Sequence, residues 1–273
     1  MIRSQSSRID AISLNAYRSL VAALFFIVAT VALGKLPAFG DLTPVSLAAL
    51  CASLVVGFII GDTLFFRAIT LVGVSVAMPI SMSYPLYVLV IASVFLGEHI
   101  TIFTVLGTLL VVGGTIAVAL SAPRAQTSAP QSRRLGIVLA IGAAFGWALS
   151  TVFLRIGVES VDVFVAGVVR LSLTSIILLV WRTAMLEVAP FRAYGARTLA
   201  VLTLAALFGT GLGSIFYLTA VQQAGAALAS TMATTAPLFA TPISVLFLGE
   251  RLNRRNVLGM LMCVAGVLVV TLQ

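Results

Sequence analysis

The sequence predicts an all-α integral membrane protein, an inverted-repeat helical bundle, on three observations. Of its 273 residues, 61% are hydrophobic and 9% charged, against about 25% charged in ordinary soluble domains. The apolar residues fall in bilayer-spanning runs, not in the alternating stretches of about ten residues that build a membrane β-barrel. The second half of the chain repeats the first in register.

In chain order, Met1 to Asp10 is polar, carries Arg3 and Arg8, and lacks the apolar core of a signal peptide. Nine apolar runs come next, near 11–33, 44–66, 73–96, 101–121, 135–154, 162–181, 198–219, 225–248 and 255–272. Glycine is spread through them, as helical membrane bundles prefer. Between the fourth and fifth runs lies a Pro, Ser and Ala rich stretch with no apolar period, which reads as a flexible linker. The division is therefore 1–121 for a first repeat of four helices, 122–134 for the linker and 135–273 for a second repeat of five.

The repeat is carried by residues that apolar bias would not align. Asp10 pairs with Asp162 and Arg18 with Arg170, an offset of 152 positions. The same offset pairs Gly57 with Gly209, Gly61 with Gly213, Gly73 with Gly225 and Pro85 with Pro237. It also pairs Gly97-Glu98 with Gly249-Glu250, Gly107 with Gly259 and Gly114 with Gly266. The span near 135–154 has no mate, so the expectation is that the chain begins one helix late relative to a five-plus-five plan. A five-helix unit is odd, so consecutive copies enter the bilayer in opposite senses. Loop charges agree: Arg67 faces Gln222-Gln223, while Glu98-His99 faces Glu250-Arg251 with Arg254 and Arg255. Placing the Arg-rich loops in the cytoplasm puts the C-terminus outside.

Several function classes are disfavoured. The net charge of +8 comes mostly from residues between apolar runs, where Lys and Arg set orientation, and no basic patch is interleaved with stacking aromatics, so nucleic acid is not an expected partner. Cys51 and Cys263 lie inside apolar runs without a CxxC mate, and His99 stands alone, so neither metal nor cofactor is expected. No phosphate-binding loop occurs. Eight acidic residues, mostly at helix ends, make a poor catalytic cluster. A membrane-embedded enzyme is the weaker rival to a carrier. A non-transporting scaffold or sensor is the stronger one.

Two matched stretches point to a transport site. Ser81, Ser83 and Tyr84 precede Pro85, and Thr231, Thr234 and Thr235 precede Pro237. Each Pro stands twelve residues before Gly-Glu. Proline inside a long apolar run bends a helix and frees a carbonyl, and paired broken helices mark binding sites in repeat transporters. The hydroxyls are candidate cavity residues, with Tyr87, Trp147, Ser150 and Tyr217 as aromatic and polar walls; each alone is as readily read as packing. Asp62 is the only acid well inside an apolar run, a proton-exchange candidate whose plain alternative is pairing with Arg67. Arg18 and Arg170 are expected to hold Asp10, Asp162 or freed carbonyls. Glu98 and Glu250 are expected to tie down the next helix's N-terminus. Gly57, Gly61, Gly209 and Gly213 read as close-approach positions.

Together, the paired Arg, the Pro, the Gly-Glu and the Gly-rich closing helix resemble the EamA domain of the drug/metabolite transporter superfamily. The nearest stretches are Pro85 to Gly114 and Pro237 to Gly266. The resemblance implies a ten-helix inverted-repeat carrier that exports metabolites, amino acids or drugs, often by proton exchange. It also implies two cytoplasmic termini, unlike the charge reading. The expected location is the cell inner (plasma) membrane, multi-pass, with a small-molecule substrate, the lipid bilayer and a possible homodimer as partners.

Overall fold

The computed structural model describes residues 11–120, 130–184, 191, 195–236, 238–239 and 254–272. Pro237, Glu250 and Asp10 lie outside the described residues, as does most of the linker. Among the described residues every regular element is helical. Helix α1 is Ala11–Ala32, followed by a 3-10 turn over Leu36–Asp41, then α2 over Pro44–Leu54. A π-helical segment, Val55–Gly61, leads into α3, Asp62–Val72. Next come α4 (Val74–Ser81), α5 (Tyr84–Phe95), α6 (Ile102–Ala119) and α7 (Pro130–Val158). The chain continues with α8 (Val163–Ala184), α9 (Ala196–Ala205), a second π-helical segment (Ala206–Leu212), α10 (Gly213–Ala233) and α11 (Arg254–Thr271).

Helix starts reflect local chemistry. Thr101 Oγ1 accepts from Thr104 N at 3.1 Å to open α6, and Asp162 Oδ1 accepts from Phe164 N at 2.8 Å to open α8. Repeat-equivalent helices match in length: α1 and α8 have 22 residues each, α6 and α11 have 18 each.

Eight helical stretches among the described residues are long and apolar enough to cross a bilayer. One of them, Ala196–Ala233, has 38 residues where the sequence predicts two spans. At 1.5 Å per residue it would measure about 57 Å, nearly twice the hydrocarbon core. Gly225 interrupts it with φ 86° and ψ 171°, which is not helical. Its mate Gly73 does the same between α3 and α4, with φ 77° and ψ 162°. Only glycine adopts this region without strain.

A second pair of breaks lies further along, at Met82–Ser83 and Thr234–Thr235. In the first half, Met82 N donates to Met78 O and Ser83 N to Ile80 O, while Leu86 N donates back to Ser83 O. In the second, Thr234 N donates to Ser230 O, Thr235 N to Met232 O and Leu238 N to Thr235 O. The acceptors and donors correspond one for one at the repeat offset. Pro85 is the second residue of α5, so it opens a helix after the break instead of bending a continuous one. A first-turn proline loses no bond there, because its missing N–H would have no partner in the helix anyway.

Contacts divide the chain into two compact units, each drawing stretches from both halves of the sequence. One comprises 1–51 with 156–219, and its core is α1 against α8. There the Phe26 ring rests on Gly167 so closely that any Cβ would strike it, and Phe26 also packs on Phe164 with ring centres 6.1 Å apart. The other comprises 52–155 with 220–273, dominated by α6 against α11. Small residues let these backbones touch: a Cβ on Gly107 would lie 2.7 Å from Gly266 O, and one on Gly266 would lie 2.7 Å from Gly107 O. Gly114 and Gly259 form a second reciprocal pair along the same seam. Gly57 and Gly61 similarly admit Ser150 and Trp147 of α7. Gly209 departs from expectation, because nothing among the described residues lies within 4 Å of where its Cβ would be. Gly213 meets only the carbonyl of Phe208, at 3.8 Å.

Candidate functional site

In the unit containing 52–155, the first π-helical segment ends at Gly61 and delivers Asp62 beside α7. A π turn inserts one extra residue into the helical ladder and so re-aims the side chains after it. Trp147 Nε1 donates to Asp62 Oδ1 at 2.8 Å. The indole fits because Gly61 has no side chain: a Cβ there would lie 2.7 Å from Trp147 Cδ1. Phe65 packs on the indole with ring centres 5.1 Å apart, and Tyr84 meets it edge-on at 6.1 Å. Tyr84 OH reaches Ser230 O at 3.4 Å. A carboxylate, two aromatic walls and a break in the backbone are thereby gathered in one place. Asp62 has no ion pair with Arg67; among the described residues the ion pairs are Lys35–Asp162 and Arg155–Glu98.

The hydroxyls divide into two groups. Ser81 and Thr231 are fully buried, and Thr234 nearly so. Ser81 Oγ donates to Ala140 O at 3.1 Å, Thr231 shares a 2.9 Å bond with Thr108 Oγ1, and Thr234 Oγ1 donates to Ser230 O at 2.8 Å while its carbonyl accepts from Thr115 Oγ1 at 3.0 Å. Ser150 donates to Ser53 O at 2.6 Å, and Thr235 to Met232 O at 2.6 Å. These five bind backbone carbonyls, Thr231 bonding Thr108 besides, and hold the broken helices in place. Ser83, Tyr84, Tyr87 and Trp147 are part-exposed, and Ser83 Oγ also donates to backbone, to Ile80 O at 2.6 Å. Tyr87 stands edge-on to Phe145 at 6.3 Å.

Glu98 differs from expectation. The next helix, α6, is capped by Thr101, whereas Glu98 Oε1 accepts from Ala226 N at 2.6 Å and Oε2 from Ala227 N at 3.1 Å. Arg155 Nε stands 3.9 Å from Glu98 Oε1. The carboxylate thus caps the helix that restarts after Gly225, and it borders a polar cavity of about 220 Å³ lined also by Thr104, Arg155 and Gln223.

In the unit containing 1–51, Arg18 Nη2 donates to Thr210 Oγ1 at 3.1 Å, inside the second π-helical segment. It does not hold Asp162, which is engaged by Lys35 Nζ at 2.7 Å. Arg170 has a buried Nε without a hydrogen-bond partner. Tyr217, the remaining expected wall residue, stands part-exposed in α10. Sequence reasoning missed Thr210, Thr108, Thr115, Lys35 and Arg155. The signal for the threonines was their presence in apolar runs, where a hydroxyl needs an acceptor. Among the described residues, no three His, Cys, Asp or Glu side chains gather as a metal site would require.

Comparison with known proteins agrees with this architecture. The model of the EamA-like transporter family matches residues 1–120 and 134–272. An uncharacterized transporter of Archaeoglobus fulgidus is 27% identical over 266 residues, covering 97% of this chain and 89% of that protein. The uncharacterized transporter YvbV of Bacillus subtilis is 26% identical over 192 residues, 68% of this chain and 59% of that one. A solved crystal structure, 17% identical, superposes with a TM-score of 0.82 over 99% of this chain and 90% of its own, which speaks to the fold alone. With both repeats matched by one family model, the chain belongs to the EamA-like transporter family and is a multi-pass membrane transporter, not an enzyme.

Proposed function

We propose that the protein is a secondary-active exporter of small metabolites, amino acids or drugs in the plasma membrane. It works by alternating access between two inverted repeats, residues 1–121 and 135–273, joined by the linker 122–134. The observation that carries this reading is the duplicated interruption: Gly73 and Gly225 break the backbone alike, and matching turns occur at Met82–Ser83 and Thr234–Thr235. Broken helices at equivalent places are the hinges and ligand-facing ends of repeat transporters. Asp62 is the coupling residue in this reading, taking up and releasing a proton as its surroundings change. A carboxylate in a span, without an ionic partner among the described residues, is suited to that exchange.

The test is flux. Protein reconstituted in vesicles loaded with a labelled metabolite pool should release solute faster when an opposing proton gradient is imposed. Asp62→Asn keeps an oxygen acceptor for Trp147 and removes the titratable charge, so it should abolish the response to the gradient. Flux from neither protein would remove the carrier reading. A gradient response unchanged in Asp62→Asn would remove Asp62 from coupling and leave the carrier.

A further inference from the structure

Arg18 and Arg170 are the eighth residues of α1 and α8, two helices of equal length related by the repeat. At that depth each guanidinium lies roughly 10 Å along its helix, where a charge must find protein, water or ligand. Arg18 donates to Thr210 Oγ1. Arg170 has no such acceptor for its Nε. Among the described residues it makes no ion pair, and its Nε is sealed from solvent without an acceptor.

The carboxylate at the head of α8 is spoken for, since Asp162 Oδ2 accepts from Lys35 Nζ at 2.7 Å and Oδ1 from Phe164 N at 2.8 Å. Of the two repeat-related arginines, one has a hydroxyl acceptor and the other keeps a buried Nε without one. A buried donor left unsatisfied asks for a partner. For a planar guanidinium, the best-matched partner is an oxyanion with two oxygens.

We infer that Arg170 is an oxyanion-binding residue, which holds the carboxylate of a small solute in this carrier. The inference rests on the carrier reading for its purpose. A phosphate oxygen of a lipid headgroup presents the same chemistry and is separated from a solute by experiment.

The experiment reads binding, so it does not depend on flux. Full-length protein in neutral detergent is melted against sodium benzoate, benzamide, benzylamine and dioleoylphosphatidylglycerol. Wild type should be stabilised saturably by benzoate and not by benzamide or benzylamine. Arg170→Gln should raise the half-saturating benzoate concentration at least tenfold. Arg170→Lys, which keeps the charge and loses the fork, should fall between them and serves as the readout where the glutamine variant does not fold. Thr210→Val, which disturbs only the mate, should bind benzoate as wild type does. Stabilisation by the phospholipid alone, lost in Arg170→Gln, would keep the oxyanion site and overturn its assignment to a solute. No response in wild type to benzoate or lipid, or an equal response in Arg170→Gln, would overturn the inference entirely. Arg170-dependent benzoate binding in a protein that moves no solute would count against the carrier, not against this site.

Discussion

Glu98, at the close of the first half's broken span, accepts hydrogen bonds from the backbone of Ala226 at 2.6 Å and Ala227 at 3.1 Å. Glu98 and Ala226 are 128 positions apart. The carboxylate therefore stabilises the restart of a helix that Gly225 interrupts, where exposed N–H groups and the helix dipole favour an anion. Glu98→Ala should lower stability by about 1 to 2 kcal/mol, the usual range for a lost cap. Glu98→Gln retains the acceptor oxygen and loses the charge, so it should cost roughly half as much. Reversible unfolding in mixed detergent measures both.

Gly225 is held by two constraints at once. Its φ of 86° suits glycine alone, and a Cβ would lie 2.7 Å from Glu98 Oε1. Gly225→Ala should therefore cost about 1 to 3 kcal/mol in backbone strain, with loss of the Glu98 cap besides. Gly209→Ala is the control. Its Cβ would meet nothing among the described residues within 4 Å and its φ is not positive, so replacement should be neutral or add up to about 1 kcal/mol. Melting the two variants side by side separates these cases.

Such contrasts explain what could be read from the sequence. Gly73 and Gly225 stood out because they recur at one offset, and glycine at fixed positions in a helix usually has a backbone reason. The hydropathy of the spans was equally plain. The π-helical segments at Val55–Gly61 and Ala206–Leu212 left no such trace, because widening a hydrogen-bond ladder changes no residue type. The partner of Glu98 was hidden for a different reason. A cap on a neighbouring helix is local, whereas this one depends on how distant stretches pack. Ser81, Thr231 and Thr234 read as cavity hydroxyls by pattern alone, and only packing reveals that each is buried and already bonded.

The α6–α11 seam should be intolerant of bulk. Gly107 and Gly266 face each other's carbonyls, with Cβ positions 2.7 Å from them in both directions. Gly107→Ala should cost about 1 to 3 kcal/mol, the range for overpacking a tight contact. Gly40→Ala, with nothing within 4 Å of its Cβ, should not be affected in this way. Yield of monodisperse protein after detergent extraction is a sufficient readout.

The Asp62–Trp147 pair admits the most direct test of whether the site is assembled as described. The 2.8 Å bond from the indole nitrogen to Asp62 links α3 to α7. Asp62→Ala leaves an indole N–H without its acceptor and should cost about 1 to 3 kcal/mol, whereas Trp147→Phe also leaves the carboxylate without its donor. In the double variant neither group is left waiting. The two losses should therefore be less than additive, with a coupling of about 1 to 2 kcal/mol. Strict additivity would mean that the two side chains do not meet in the membrane. The sequence contains only two tryptophans, Trp147 and Trp181, so Trp181→Phe leaves Trp147 as the sole indole emitter. In that background Asp62→Ala should shift the emission, because the carboxylate next to the ring nitrogen is gone. Asp62→Asn, which still offers an oxygen to the indole, should shift it less.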